Sequence, residues 1–237
     1  MIELKNISFG YDKEYVLENV TLCFPKNKKI AILGNNGCGK TTLLLICSGL
    51  LKPKKGKIYL DNTLVKNKEL RKKVGIVFQN PDTQLLPVKV YQDISFGLFN
   101  LGYEKSFVEK RVKEIIKEFE MESLKDKPTQ FLSYGQKKLV SIADIVALNP
   151  EYILLDEPDS YLDYKSFIRI QKILDKLLKK GKTIVISTHN SDFAYQWADY
   201  VYIIDNKKVI LEGNPSFVFS KKDILEKTNL KIPGGVL

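Results

Sequence analysis

The sequence predicts an α/β fold: a mostly parallel sheet core, an antiparallel β subdomain at the N-terminus and a helical subdomain. Three observations predict it. The β-branched run KIAIL (residues 29–33) leads through a glycine-rich turn, LGNNGCGK, into TTLLLICSGLL, which has the length of a helix. The second half alternates strand-like and helix-like runs, YILLDEP, YKSFIRIQKILDKLLKK and GKTIVISTHN, as a parallel sheet with helices on its faces requires. Between these halves the strand pattern disappears, and SFVEKRVKEIIKEFEM sets Phe107, Val108, Val112, Ile115, Ile116 and Phe119 along one helical face.

Taken in order, the opening residues 1–33 alternate apolar and polar side chains around the turn-like GYDKE and PKNKK, the pattern of antiparallel strands. KGKIYLDNTLV is a further hairpin, and KVGIVFQNPD is a buried strand that ends in polar residues. Residues 90 to about 121 form the helical lobe. FLSYGQKKLVSIADIVALNP begins with Ser133 as an N-cap and then places Leu139, Ala143, Val146 and Ala147 at helical spacing. YVYIIDNKKVILEG closes the α/β half as a hairpin. A chain of 237 residues has length for one sizeable core with a subsidiary lobe. A single domain over 1–237 is therefore expected, its core drawn from about 1–80 and 147–237 and its helical subdomain from about 81–146.

A hydrophobic share of 44% and a charged share of 28% are those of an ordinary globular chain, and no apolar run approaches the roughly 20 residues of a membrane-spanning helix. Met1 runs straight into IELKNISF, with neither a basic leader nor an apolar signal core, so a cytoplasmic chain is expected. The net charge of +10 would suit nucleic acid or an anionic membrane. The lysines are scattered in pairs such as Lys54-Lys55 and Lys179-Lys180, the pattern of a solvated surface, and no nucleic-acid partner is expected. Cys23, Cys38 and Cys47 have neither metal spacing nor an even number for disulfides, which points to a reducing compartment. Cys38, just ahead of a helix N-terminus, admits two readings: a thiol whose thiolate is favoured there, or a small residue at a tolerant position.

The glycine-rich turn is a phosphate cradle. Gly34, Gly37 and Gly39 let the loop of Gly34, Asn35, Asn36, Gly37, Cys38 and Gly39 curl so that its N–H groups converge on an anion at a helix N-terminus. Lys40 is then placed for the β- and γ-phosphates and the Thr41 hydroxyl for Mg²⁺, in the spacing G-x-x-x-x-G-K-[ST], with Thr42 one step further for the α-phosphate. EYILLDEPDS delivers two acids at the end of a strand: Asp156, placed to hold Mg²⁺ through its water shell, and Glu157, placed to orient and polarise an attacking water. The helix start at Ser133 and Gly135 reads either as a second anion site or as an ordinary capped helix.

With these residues in place, LSYGQ resembles the signature of ATP-binding cassette (ABC) ATPases, lying between a Walker A loop and ILLDEP in that family's order. Further positions match one by one. Gln79 in VFQNPD resembles the Q-loop, Asp163 in SYLD the D-loop, His189 in VISTHN the switch histidine, and Tyr11 in FGYD the aromatic that stacks on adenine. The resemblance implies a P-loop NTPase of ABC type that hydrolyses ATP with Mg²⁺. It makes Glu157, His189, Lys40 and Gln79 catalytic and Thr41, Gln79 and Asp156 the metal group. Ser133, Gly135 and Gln136 would complete the nucleotide site of a second subunit in a head-to-tail dimer, which implies a homodimer or a partner of the same fold. His189, the single histidine, also follows the strand TIVIS, on the edge where ligands of parallel sheets collect, so a bond to the γ-phosphate is favoured.

The segment of residues 74–103 is similar to the ATPases of energy-coupling-factor importers and the related cobalt and nickel importers, as is ILEGNPSFVFSKKDILEKTNLKIP. That likeness implies a peripheral protein at the cytoplasmic face of the membrane, with an integral transport subunit docked between Gln79 and Phe99. There Leu85, Leu86, Val88, Val90, Ile94, Phe96, Leu98 and Phe99 form an apolar stretch suited to a partner helix, part of it core. The cargo implied is cobalt or nickel ions; a vitamin-uptake module, or an ABC-type ATPase outside transport, is the alternative. A DNA-maintenance ATPase would need a long coiled-coil insertion ahead of Ser133, and a translation factor a second cassette.

Three positions depart from the family pattern. Tyr134 stands where the signature has glycine, and a left-handed backbone there would cost a bulky residue about 1–2 kcal/mol, so slowed turnover is expected. Asp159 replaces a threonine and Asn190 an aspartate, both near the expected dimer face.

Overall fold

The computed structural model describes residues 1–234; the last three residues of the expected domain lie outside the described residues. The strands are β1 (Ile2–Phe9), β2 (Leu17–Phe24), β3 (Lys29–Leu33), β4 (Lys55–Leu60), β5 (Thr63–Leu64), β6 (Val74–Val77), β7 (Tyr152–Asp156), β8 (Thr183–Thr188), β9 (Tyr200–Asp205) and β10 (Lys208–Gly213). The helices are α1 (Lys40–Cys47), α2 (Asn67–Lys73), α3 (Val90–Asn100), α4 (Lys105–Glu118), α5 (Tyr134–Ala147), α6 (Tyr164–Lys179), α7 (Ser191–Trp197), α8 (Pro215–Ser220) and α9 (Lys222–Lys227).

Two sheets result. The first, β2-β1-β4-β5, is antiparallel. The second, β10-β9-β3-β8-β7-β6, is parallel from β9 to β6, with β10 added antiparallel at one edge. Period-two alternation sorts its side chains between two cores. Ala31, Leu33, Ile153, Leu155, Ile184, Ile186, Val201 and Ile203 face a core shared with α3 to α9. Ile30, Ile32, Tyr152, Leu154, Val185, Tyr202 and Ile204 face a second core, shared with α1 and the antiparallel sheet. Strands β3, β7, β8 and β9 are buried on both faces, which is why each reads as a continuous apolar run, whereas the edge strand β10 alternates between exposed and half-buried residues.

Local chemistry accounts for the turns. Asp61 and Asn62 both take positive φ (49° and 64°), as do Asn206 and Lys207 (45° and 68°), so both two-residue hairpin turns have the left-handed geometry that matches strand twist. Ser133 caps α5 by accepting from the Gln136 N–H, while the Gln136 side chain accepts from the Ser133 N–H at 3.0 Å.

The helical face expected in α4 holds for Val108, Val112, Ile115 and Ile116, and Phe119 follows at its end, all buried. Phe107 does not belong to it. It sits one position off that stripe in the open first turn, exposed and stacked on Tyr103 at 4.7 Å between ring centroids. The short helices α2, α7, α8 and α9 carry too few turns to show a period in the sequence.

Because β3, β6, β7 and β8 run parallel, their C-terminal ends lie along one edge. The glycine-rich loop, Gln79, the two acids and His189 each follow one of these ends.

Candidate active site

Gly39 ends the loop after β3 with φ 107°, and a Cβ there would lie 2.8 Å from the Leu17 side chain, so the close turn into α1 requires glycine. Lys40, nearly buried, folds back over the loop and donates to the carbonyls of Gly34 (2.7 Å) and Asn35 (3.0 Å). Thr41 donates to Asp156 Oδ2 at 2.7 Å, joining the start of α1 to the end of β7. Ser187 on β8 donates to the other oxygen of Asp156.

Glu157 is the convergence point. Its Oε2 accepts from Gln79 Nε2 at 2.8 Å and from the Ser160 hydroxyl at 3.1 Å. Its Oε1 lies 3.7 Å from Lys40 Nζ and 3.7 Å from His189 Nδ1. The backbone at Glu157 has φ 42°, a left-handed conformation costing about 1–2 kcal/mol for such a residue. Its N–H is held on the Ser187 carbonyl (3.1 Å) and hydroxyl (3.0 Å), which offsets that cost.

These groups surround a cleft of about 420 Å³ lined by Tyr11, Asn36, Gly37, Gly39, Lys40, Thr41, Thr42, Gln79 and Glu157. A neighbouring cleft of about 480 Å³ shares Asn36, Gln79 and Glu157 and adds Asp159, Ser160, Tyr161, His189 and Asn190. Tyr11 stands half exposed at the rim, its ring edge-on to Phe9 at 5.2 Å. Ser133, Gly135 and Gln136 line neither cleft; they form the first turn of α5, where a Cβ on Gly135 would meet the Ser166 hydroxyl at 2.5 Å. Asp163 is exposed and caps α6, accepting from the Ser166 N–H and hydroxyl.

The structure decides between the two readings of Cys38 and corrects the backbone cost expected at Tyr134. Burial pushes the Cys38 thiol up, against the pull of Lys40, so its thiolate is not favoured. Tyr134 is the first residue of α5 with ordinary helical backbone, so the left-handed cost does not arise. Asp159 accepts from the Thr188 hydroxyl (2.9 and 3.1 Å), and Asn190 caps α7 by accepting from the Phe193 N–H at 3.0 Å. Of the apolar stretch expected to dock a partner, Val90, Ile94 and Leu98 are core, while Phe96 and Phe99 are exposed on α3.

Sequence reasoning missed Lys138. It is fully buried, donates to the carbonyls of Phe78 (2.9 Å) and Gln79 (2.5 Å), and is lowered to about 8 by burial, against the pull of Asp156, Asp159 and Glu157. The available signal was a lysine one turn ahead of Ile142 on the buried face of α5. Thr41 and Asp156 present hard oxygen donors that suit Mg²⁺, and among the described residues no larger cluster of histidine, cysteine or carboxylate ligands occurs.

Comparison with known proteins follows this geometry. Residues 17–160 match the ABC transporter family. The chain is 44% identical over 239 residues to the energy-coupling factor transporter ATP-binding protein EcfA of Methanocaldococcus jannaschii, covering 98% of this chain and 86% of that protein. It superposes with a TM-score of 0.85 and 38% identity on cbiO1 from Clostridium perfringens, part of the ABC transporter complex cbiONQ, covering 98% of this chain and 95% of that one. A TM-score of 0.80 and 31% identity relate it to the dimeric post-hydrolysis state of the ATP-binding cassette MJ0796 bound to ADP and Pi, covering 91% of this chain and 99% of that one. With a P-loop, a paired Asp-Glu and a signature helix in this arrangement, the chain belongs to the ABC transporter family, as an ATP-hydrolysing subunit of the energy-coupling-factor type.

Proposed function

We propose that this chain, seated on the cytoplasmic face of the membrane, powers uptake of cobalt or nickel ions by an energy-coupling-factor importer. The observation that carries the catalytic half of this reading is the set of four groups on one carboxylate: Gln79 and Ser160 at one oxygen of Glu157, Lys40 and His189 beside the other. A carboxylate so held is a general base for a water attacking a terminal phosphate.

The roles follow from position. The loop N–H groups and Lys40 bind the phosphates, and Lys40 exchanges the carbonyls of Gly34 and Asn35 for phosphate oxygens. Tyr11 supplies a face for the base. Thr41, Gln79 and, through a water, Asp156 would hold Mg²⁺, which would supply neutralisation of the phosphate charge. Glu157 takes the proton of the attacking water, Gln79 orients that carboxylate, and His189 donates to the γ-phosphate. The chain pairs head-to-tail with a same-fold subunit whose Ser133, Gly135 and Gln136 close over the nucleotide, with Asp163 at the contact. Its transport partner is an integral membrane subunit received near Gln79 to Phe99, where Phe96 and Phe99 are exposed.

The metal-ion cargo is supported by the resemblance of residues 74–103 and of ILEGNPSFVFSKKDILEKTNLKIP to the ATPases of cobalt and nickel importers. A shared energising module for vitamins is the second reading, favoured by relatives named as energy-coupling-factor subunits with no cargo in the name. Co-purification of the tagged chain from its own host separates them. A transmembrane subunit accompanied by a metal-binding partner supports the first, and a vitamin-binding membrane protein with a second cassette overturns it.

A further inference from the structure

Gln79 carries two sets of contacts that lead to different parts of the molecule. Its side-chain amide donates to Glu157 at 2.8 Å. Its backbone carbonyl, pointing the other way, accepts from the Tyr134 hydroxyl at 2.9 Å and from Lys138 Nζ at 2.5 Å. Both donors belong to the first two turns of α5 and are four residues apart, so they project from one face of that helix. Lys138 also holds the Phe78 carbonyl at 2.9 Å. The chain leaving β6 is thereby pinned to α5 at Phe78 and Gln79.

Tyr134 makes a second attachment. Its ring meets Tyr161 edge-on, with centroids 5.9 Å apart and planes at 69°. Tyr161 belongs to the loop that carries Glu157, takes φ 60°, and leaves its side chain largely exposed. A tyrosine held at positive φ with little burial stores strain in that loop, and the ring of Tyr134 is the aromatic contact it makes there.

We infer that Tyr134 is a positioning residue for hydrolysis: through its hydroxyl on the Gln79 carbonyl and its ring on Tyr161, the start of α5 sets where the Gln79 amide and the Glu157 loop stand. Displacement of α5 is then felt at the carboxylate from two sides. The inference rests on Glu157 as the base. It differs from the expectation drawn from sequence, in which Tyr134 only hindered the signature. Here the residue supplies a connection that glycine, with no side chain, lacks.

The test uses the purified full chain and its steady-state ATPase rate. Tyr134→Phe removes the hydroxyl alone; Lys138 still donates to the same carbonyl, so the fold has no orphaned acceptor, and an unchanged melting temperature checks this. The expected result is a fall in kcat of about three- to tenfold, the range of one net hydrogen bond, with KM for ATP within about twofold. In a Gln79→Ala background the same substitution should cost less than about twofold, because the amide it positions is gone. An unchanged kcat for Tyr134→Phe, a rise in KM equal to the fall in kcat/KM, or an equal loss in the Gln79→Ala background would each overturn the inference. A Glu157→Gln control turning over at the wild-type rate would instead overturn the assignment of the base, whatever Tyr134→Phe shows.

Discussion

Lys40 Nζ and Glu157 Oε1 stand 3.7 Å apart with both side chains almost wholly removed from solvent, so the cation of the glycine-rich loop and the anion at the end of β7 compensate each other. Neither is left as a lone buried charge. On the proposed roles, a triphosphate would draw the lysine to its oxygens and leave Glu157 to Gln79, Ser160 and His189.

Lys40→Ala removes a charged donor from the phosphates, an interaction of about 1.5–3 kcal/mol. The expected outcome is ATP binding weakened by at least about tenfold, measured by calorimetry on the folded variant. A wild-type dissociation constant would remove Lys40 from the site.

Glu157→Gln keeps the shape and the contact with Ser160 but takes no proton. Turnover should fall by about 10²–10⁴-fold while ATP still binds. Gel filtration with ATP should then show a dimer that wild type dissolves by hydrolysis. Turnover at the wild-type rate would show the base to be elsewhere.

Phe96 and Phe99 are exposed on α3, above the buried Val90, Ile94 and Leu98. Replacing both by serine should change stability by no more than about 0.5 kcal/mol each and leave the ATPase rate of the isolated chain intact. Retention of the membrane subunit in a pull-down should be lost. Retention at the wild-type level would place the docking face elsewhere.

Asp93, buried on α3, and Asp144, half-buried on α5, form a carboxyl pair. Burial, and then the charge of Asp93, hold Asp144 well above the usual carboxylate range; burial raises Asp93 also, against the hydrogen bond it receives from the Leu86 N–H. The native chain therefore keeps a proton that the unfolded chain loses at about pH 4. Stability from that proton is complete below this pH and is lost as pH rises through the raised native value. Asp144→Asn, which cannot ionise, should gain melting temperature relative to wild type as pH goes from about 5 to about 8. A constant difference over that window would show that the pair does not titrate there.

The phosphate loop, the two acids and the antiparallel opening were legible because each is written in contiguous residues: glycines at set spacing, a strand ending in Asp156-Glu157, alternation broken by turn residues. What was not legible depends on residues far apart in sequence. Lys138 stands next to Lys137 in the sequence, the spacing of the scattered surface pairs, yet it reaches carbonyls at residues 78 and 79. Tyr134 was read against a glycine, with no means of seeing the Gln79 carbonyl that its hydroxyl meets. Phe107 failed for a milder reason. It lies beside the apolar stripe of α4, and only the packing of neighbouring helices decides where that stripe ends.

The placement of β3 bears on how the protein is made. This central strand pairs Ile30 with Val185 on one side and with Tyr200 on the other, both from the last quarter of the chain. During synthesis β1, β2 and β4 find one another early, whereas β3 emerges with two open edges and waits for β8 and β9. A nascent or truncated chain lacking them therefore displays an apolar strand that invites chaperones or self-association. It also lacks His189 and the Ser187 hydroxyl and carbonyl that hold the Glu157 N–H, so the groups gathered on that carboxylate come together only when the last quarter of the chain has joined the sheet.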